Sequence, residues 1–259
     1  MTRIYFCLRF NPLGGHTGGG TPGSIPNPAV KSSEADDTET RSFGKVGSRL
    51  IIVLVMSDKF KVAIFSSGSG SNFEAIVKAQ IPNVEISLLF CNVEKAKVLE
   101  RAKNLSVQSI LLSHKGFESR KDFEKEVINH ISQFNLDLIV LAGFKRILSP
   151  FFIQHFEKKV INLHPSLLPA FTGLNAPKQA LEYGARYAGC TVHYVDDGVA
   201  TGTIILQGVV DVVQNDDEES LLEKIHQKEH EILPKAIQLI AEGKINRIEG
   251  RRVFIDDDF

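Results

Sequence analysis

From Lys61 onward, short apolar runs alternate with amphipathic stretches along the chain. The apolar runs have the length of strands, and the amphipathic stretches repeat their apolar positions at helical spacing. This alternation is typical of a parallel sheet whose strands are connected by helices. The pattern predicts a doubly wound α/β fold, with a mostly parallel sheet and helices on both faces. Strands are predicted at 61–66, 84–91, 108–112, 136–142 and 159–162, and helices from about 71, at 96–104 and at 119–133.

Beyond His164 the sequence becomes richer in β-type segments. Two β-rich runs separated by a turn are expected to join the same sheet as added strands. A long amphipathic helix follows them, and Pro234 is expected to kink it because proline cannot donate a backbone hydrogen bond. The predicted elements are a helix near 176–183, strands at 189–195 and 203–213, the helix at 220–243 and a hairpin at 246–255.

The N-terminal part of the chain has a different composition. Residues 11–49 are rich in Gly, Pro, Ser and Thr, and they contain too few apolar side chains to offset the entropy of ordering the chain. We therefore expect residues 1–56 to be a disordered extension, or an over-extension of the reading frame upstream of a start at Met56. Residues 57–259 are expected to form the folded domain.

The composition narrows the classes of function. Of 259 residues, 43% are hydrophobic and 24% are charged, and the formal charge of -1 gives no global basic field to gather nucleic acid or an anionic membrane. The apolar run at 50–56 is far shorter than the ~20 residues of a membrane span. Three scattered cysteines predict neither a disulfide framework nor a zinc site. We expect a cytoplasmic protein, monomeric or homodimeric, that binds no metal, nucleic acid or membrane.

A run of small residues, SSGSGSN at 66–72, directly follows the first strong strand. Small residues at this position bring backbone N–H groups close to a ligand at a helix N-terminus. The last position of a dinucleotide fingerprint is Phe73 rather than glycine, and no lysine follows as in a P-loop. The run therefore favours a single phosphate ester, and a tight turn with Ser71 as the helix cap is the alternative.

The strand predicted at 159–162 ends with Asn162, and His164 lies two residues further on. They should therefore lie at the carboxyl end of the sheet, where open α/β folds bind ligands. Two residues at this spacing on an extended segment share one side, and both could donate hydrogen bonds to a developing oxyanion, as acyl transfer requires. The spacing alone favours a plainer interpretation, in which the asparagine is a cap and the histidine is structural.

Three motifs, in their order and separation, resemble those of the phosphoribosylglycinamide formyltransferase family, and the similarity extends from about Lys61 to Gly243. Methionyl-tRNA formyltransferases have a different loop after the Asn-x-His motif and a C-terminal RNA-binding domain that we do not expect here. Formyltetrahydrofolate hydrolases carry a folded regulatory domain and a motif that resembles HHS, so a hydrolase is the weaker alternative. The motifs are GSGSN at 68–72, LAGFKRILS at 141–149 and NLHPSLLP at 162–169.

The resemblance implies an activity and a set of site residues. The implied reaction transfers the formyl group of the co-substrate 10-formyltetrahydrofolate to the amine of glycinamide ribonucleotide, in de novo purine synthesis and without a metal. Asn162 and His164 would stabilise the oxyanion, and Glu229 would approach the glycinamide end. The phosphate is expected to bind Gly70, Ser71 and Asn72, and the folate is expected to contact Arg120, Lys145, Arg146, Ile147, Leu148 and Asn162.

The sequence departs from the family at Ala200, where the family has a catalytic aspartate that pairs with the histidine. The flanking sequence aligns without a gap on both sides. Because alanine has no acceptor, His164 would lose a partner that orients it. Three explanations stay open: an engineered inactivating substitution, a natural loss of activity, or rescue by Asp196 or Asp197. A chain that binds its ligands without turning them over is therefore an alternative to an active transferase.

Overall fold

The structure is a computed structural model that describes residues 41–46, 49–54, 59–157, 159–196 and 202–256. The chain divides into two compact units, Met1–Met56 and Ser57–Phe259. In the first unit, strands β1 (Arg41–Val46) and β2 (Arg49–Leu54) pair antiparallel. Neither strand was predicted, because the Gly- and Pro-rich composition of the preceding residues outweighed the apolar run in β2.

Seven strands of the second unit form one sheet, in the order β5–β4–β3–β6–β7–β8–β9. They are β3 (Phe60–Ser66), β4 (Val84–Cys91), β5 (Ser109–Leu111), β6 (Leu138–Leu141), β7 (Val160–His164), β8 (Tyr187–Tyr194) and β9 (Ile204–Asp211). The strands from β5 to β7 are parallel, and β8 and β9 are added antiparallel at one edge. The predicted fold class and the two added strands are confirmed.

Helices cover both faces of this sheet. They are α1 (Ser71–Lys78), α2 (Lys97–Asn104), α3 (Arg120–Ile131), α4 (Pro150–His155), α5 (Ala176–Tyr183) and α6 (Glu218–Ala241). Buried residues of α1, α2, α5 and α6 form one hydrophobic core and those of α3 and α4 form another. Because side chains alternate along a strand, Val62 and Ile64 of β3 contribute to the first core, whereas Ala63 and Phe65 contribute to the second.

The remaining elements test the finer predictions. The helix α6 continues through Pro234, and strands β10 (Ile245–Glu249) and β11 (Arg252–Ile255) form the predicted hairpin. The helix α4 was not predicted, because six residues are too few to show a helical period. Its start at Pro150 is typical of a first helical position, where a backbone N–H is not needed.

The topology creates a crevice at the carboxyl ends of β3 and β6. These strands are neighbours, while β4 and β5 lie on the other side of β3, so the direction of winding reverses between them. Open α/β sheets bind ligands at such a switch point. The loops that follow the two strands are joined there, because Ser67 N donates to Gly143 O at 3.1 Å and Lys145 N donates to Ser67 Oγ at 3.0 Å.

Candidate active site

The turn between β3 and α1 is shaped around Gly70. This residue has φ of +77°, and a Cβ atom on it would lie 2.4 Å from Cγ2 of Val98, so only glycine fits. The first N–H groups of α1 have no acceptor within the helix, and no side chain caps it. The alternative in which Ser71 is the cap is therefore wrong, because Gly70 occupies that position and Ser71 is the first helical residue.

Asn72 and Glu229, which are far apart in sequence, meet beside this turn. Asn72 Nδ2 donates a hydrogen bond to Glu229 Oε2 at 2.8 Å and so connects α1 to α6. Glu229 is only 4% exposed, and its burial raises the pKa of the carboxyl to about 7, although the hydrogen bond from Asn72 opposes this increase.

Two polar atoms of this region are unsatisfied. Asn72 Oδ1 and His230 Nε2 are buried and have no hydrogen-bond partner within the part of the chain that the structure describes. Buried polar atoms are normally paired, and an unpaired one calls for an explanation such as a ligand. An amide oxygen can only accept, so Asn72 is poised to accept a hydrogen bond from a ligand hydroxyl or amine.

Asn162 lies in the middle of β7, opposite His193 of β8. His193 Nδ1 lies 2.7 Å from the carbonyl oxygen of Tyr194, which can only accept, so Nδ1 carries a proton. Burial lowers the pKa of His193, as the nearby His164 also does, which favours the neutral ring. Its Nε2 therefore accepts from Asn162 Nδ2 at 3.2 Å. One N–H of the Asn162 amide is thus held, and the other is left for a ligand.

The ring of His164 is held by a hydrogen bond to a backbone carbonyl. Its Nε2 lies 2.9 Å from the carbonyl oxygen of Phe171, so this nitrogen also donates. The ring is half-buried, and Asn162 and His164 lie two residues apart on the same strand, as the sequence predicted. The arrangement can place an amide N–H and an imidazole on one side of an oxyanion.

The residues predicted to bind the folate lie on the loop between β6 and α4 and at the start of α3. Arg120 donates to the carbonyl oxygen of Ile147 at 3.4 Å, and the guanidinium of Arg146 lies 5.6 Å from the ring centre of Phe123. The side chain of Ile147 is 62% exposed. Since Leu141 pairs with Asn162, this loop begins beside the motif on β7.

Comparisons with known proteins show the family of this chain. Residues 60–237 match the formyl transferase family. A phosphoribosylglycinamide formyltransferase from Bacillus subtilis is 41% identical over 192 residues, which are 73% of this chain and 98% of that protein. The chain belongs to the phosphoribosylglycinamide formyltransferase family. The resemblance that the motifs indicated is confirmed.

Two further proteins similar to this chain differ in length. The trifunctional purine biosynthetic protein adenosine-3 of Drosophila pseudoobscura pseudoobscura is 44% identical over 193 residues, and the chain spans only 14% of that protein's length. The crystal structure of glycinamide ribonucleotide transformylase 1 from Symbiobacterium toebii is 38% identical with a TM-score of 0.75, and the match covers 82% of this chain and all of that one. The similarity to the Symbiobacterium toebii protein thus extends over the full length of that protein's chain.

His193 was not predicted as a residue of the candidate site. The signal that could have found it is a histidine within the apolar run predicted as a strand at 189–195, and the structure buries this side chain. Gly202 supports its position, because a Cβ atom there would lie 1.6 Å from Tyr194 O and 3.3 Å from His193 Nδ1. Ala200 lies outside the described residues, and the prediction made for it is not tested by the structure.

We expect a His193→Leu variant to lower the turnover number about tenfold, which corresponds to roughly 1.4 kcal/mol. Leucine cannot accept from Asn162, so the amide would no longer be fixed, whereas the contacts around Asn72 and Glu229 would stay in place. Steady-state kinetics should show an unchanged KM for the substrate expected at Asn72 and Glu229. His130→Leu, at an exposed position on α3, is the matched control and should behave as wild type. Equal turnover in the two variants would contradict a role for His193 in positioning Asn162.

Glu229 predicts a pH-dependent stability that Glu229→Gln should remove. Because the pKa rises from 4.5 to about 7 on folding, the folded state holds a proton that the unfolded state releases. Wild type should therefore lose stability as pH rises between these values, by at most roughly 3 kcal/mol. The glutamine has no charge and keeps an acceptor for Asn72. Urea unfolding of both proteins at about pH 5 and about pH 8 measures the difference, and parallel changes in the two would contradict the prediction.

The described residues contain no group of three or more His, Cys, Asp or Glu side chains that could hold a metal ion. Among the helices of the described ranges, none has both the length and the apolar character needed to cross a membrane.

Proposed function

We propose that this chain transfers the formyl group of 10-formyltetrahydrofolate to the primary amine of glycinamide ribonucleotide. The observation that carries the proposal is the position of Asn162 and His164 at the carboxyl end of β7, beside the loop that follows β6. The similarity to the Bacillus subtilis enzyme, over almost all of its length, supports the same choice of substrates.

The proposed reaction needs oxyanion stabilisation and proton transfer but no metal. The amine attacks the formyl carbon, a C–N bond forms, and the carbonyl oxygen takes up negative charge. The free N–H of Asn162 and a protonated His164 donate hydrogen bonds to that oxygen. When the intermediate collapses, the bond from the formyl carbon to the folate nitrogen breaks. The amine nitrogen loses one proton in the reaction, and the folate nitrogen gains one. Tetrahydrofolate leaves.

The ribonucleotide is proposed to bind at the N-terminus of α1. Its phosphate would accept hydrogen bonds from the backbone of Gly70, Ser71 and Asn72, where the helix offers unpaired N–H groups and a positive dipole end. The unpaired Asn72 Oδ1 and the carboxyl of Glu229 would then bind the donors on the ribose and glycinamide part. In this orientation the amine of the ribonucleotide would face Asn162 and His164.

The folate is proposed to bind along the loop after β6. The pterin ring would contact Arg146, Ile147 and Leu148, with Lys145 at the start of this surface, and the exposed side chain of Ile147 offers apolar area for a flat ring. Arg120, which is exposed at the start of α3, would lie near the negatively charged tail of the folate.

Ala200 supports a second candidate, namely a chain that binds its ligands but turns them over slowly or not at all. The two candidates differ in one comparison. Calorimetry with glycinamide ribonucleotide and with tetrahydrofolate measures binding, and an assay with 10-formyltetrahydrofolate measures transfer. Binding together with transfer supports the proposed enzyme, whereas binding without transfer supports the inactive candidate. Formate release when the ribonucleotide is omitted would instead indicate a hydrolase.

We further propose a cytoplasmic monomer or homodimer that binds neither nucleic acid nor a membrane, with residues 57–259 as the formyltransferase domain. The formal charge of -1 supports the absence of nucleic-acid and membrane partners, because it provides no attraction for polyanions. Light scattering after size-exclusion chromatography gives the oligomeric state directly.

A further inference from the structure

A buried carboxylate on α3 contacts the loop proposed to bind the folate. Glu124 is only 1% exposed, although its neighbours on the helix surface, Asp122 and Lys125, are solvated. Its Oε1 accepts a hydrogen bond from Ser149 N at 2.7 Å, and its Oε2 accepts one from Ser149 Oγ. Both oxygens of the carboxylate thus bind the same residue, at the point where the loop ends and α4 begins.

The same helix contacts the loop at two other points. Arg120, one turn before Glu124, donates to Ile147 O, and the ring of Phe123 lies under the guanidinium of Arg146. The arginine in each of these two contacts is exposed or half-exposed, although the Phe123 ring is buried, and such contacts are individually weak. Ser149 is itself buried, at 8% exposure, so its bonds with Glu124 are the shielded contact of the three. The end of the loop is therefore fixed by Glu124.

A carboxylate is a costly way to stabilise a protein interior. A buried charge loses its hydration, and an apolar pair of similar size commonly gives equal or greater stability. What the two directed hydrogen bonds provide is geometry, because they fix the position and the orientation of Ser149. The position of Ser149 in turn constrains the three residues just before it, which are Arg146, Ile147 and Leu148.

We propose that Glu124 is a positioning residue for the reduced folate, which acts by holding the end of the 145–149 loop through Ser149. The inference rests on the proposed function, since it assumes that this loop receives the pterin. Glu124 itself does not touch the ligand. Its loss should therefore weaken folate binding without changing the ribonucleotide site, which lies on α1 and α6.

Two variants of the full chain separate geometry from charge. In Glu124→Gln the amide oxygen can accept from Ser149 N and the amide nitrogen can donate to Ser149 Oγ, so both bonds can persist. In Glu124→Met the volume is similar and neither bond can form. We expect the Kd for tetrahydrofolate, measured by calorimetry, to rise about tenfold in the methionine variant and to stay within about twofold of wild type in the glutamine variant. The Kd for glycinamide ribonucleotide should be unchanged in both.

Other outcomes overturn the proposal. Wild-type affinity for tetrahydrofolate in the folded methionine variant would show that Ser149 needs no anchor, and an equal loss of affinity for both ligands would show a general structural role. If the methionine variant does not fold, Ser149→Ala removes only the hydroxyl contact and should raise the Kd for tetrahydrofolate alone, by about threefold; an unchanged Kd there also overturns the proposal. Failure of the wild-type chain to bind tetrahydrofolate would instead overturn the proposed function itself, and the role of Glu124 with it.

Discussion

Replacing Asn162 with alanine is expected to lower the turnover number about 100- to 1,000-fold, the usual effect of removing one oxyanion donor. The amide is held by His193, so its remaining N–H is fixed before the substrate arrives and needs no reorganisation in the transition state. His164→Ala should have an effect of similar size, because it removes the second donor on the same strand. Turnover is measured with both substrates saturating, and binding is measured separately by calorimetry.

The binding measurements decide what a loss of turnover means. If the two residues act mainly on the transition state, the Kd for each substrate should change far less than the turnover number does. Asn129→Ala on the exposed surface of α3 is a matched control for the loss of an asparagine side chain, and it should keep wild-type activity. Near-normal turnover in either site variant would refute the assignment of that residue.

Introducing Ala200→Asp is expected to raise formyl transfer about 100-fold or more, which is the lower end of the usual contribution of general acid–base catalysis. The resemblance implies an aspartate at this position, and alanine has no side-chain acceptor that could orient His164 or take up a proton. The gain should appear in the turnover number, because the residues proposed to bind the ribonucleotide lie on α1 and α6.

Ala200→Asn is the control for this experiment, since it has the size of aspartate without its charge. Asparagine should restore little of the activity if a carboxylate is what the site lacks. If formyl transfer by Ala200→Asp is no faster than by the protein with Ala200, the argument from the missing carboxylate fails. Rescue by Asp196 or Asp197 would then be the explanation to test next, through their alanine variants.

Local signals in the sequence were sufficient to place the strands of the main sheet along the chain. Alternating apolar runs placed the strands from β3 to β9 to within a few residues of their observed ends, since strand burial imposes the pattern directly. Asn162 and His164 were chosen because the motif around them resembles that of the family, since their spacing alone favoured a cap and a structural histidine. The helix α4 and the pair β1 and β2 were missed, because short elements leave too little pattern to recognise.

The supporting contacts of the site could not be predicted in the same way. Asn162 and His193 are 31 residues apart in sequence, and Glu124 and Ser149 are 25 apart. Each pair is brought together only by strand register or helix packing, and no spacing along the chain encodes it. A buried glutamate in an amphipathic helix also looks like an exposed one until the packing of that helix is known.

The hydroxyl of Ser67 limits how this protein could be re-engineered. It accepts from Lys145 N and donates to Asn92 Oδ1 at 2.6 Å, and Ser67 and Asn92 are both buried. The loops proposed for the two substrates are therefore joined through one residue, because the N–H of Ser67 also donates to Gly143 O. A redesign that grafts a new loop for a different nucleotide has to keep this serine in place, since the opposite loop depends on it for two hydrogen bonds.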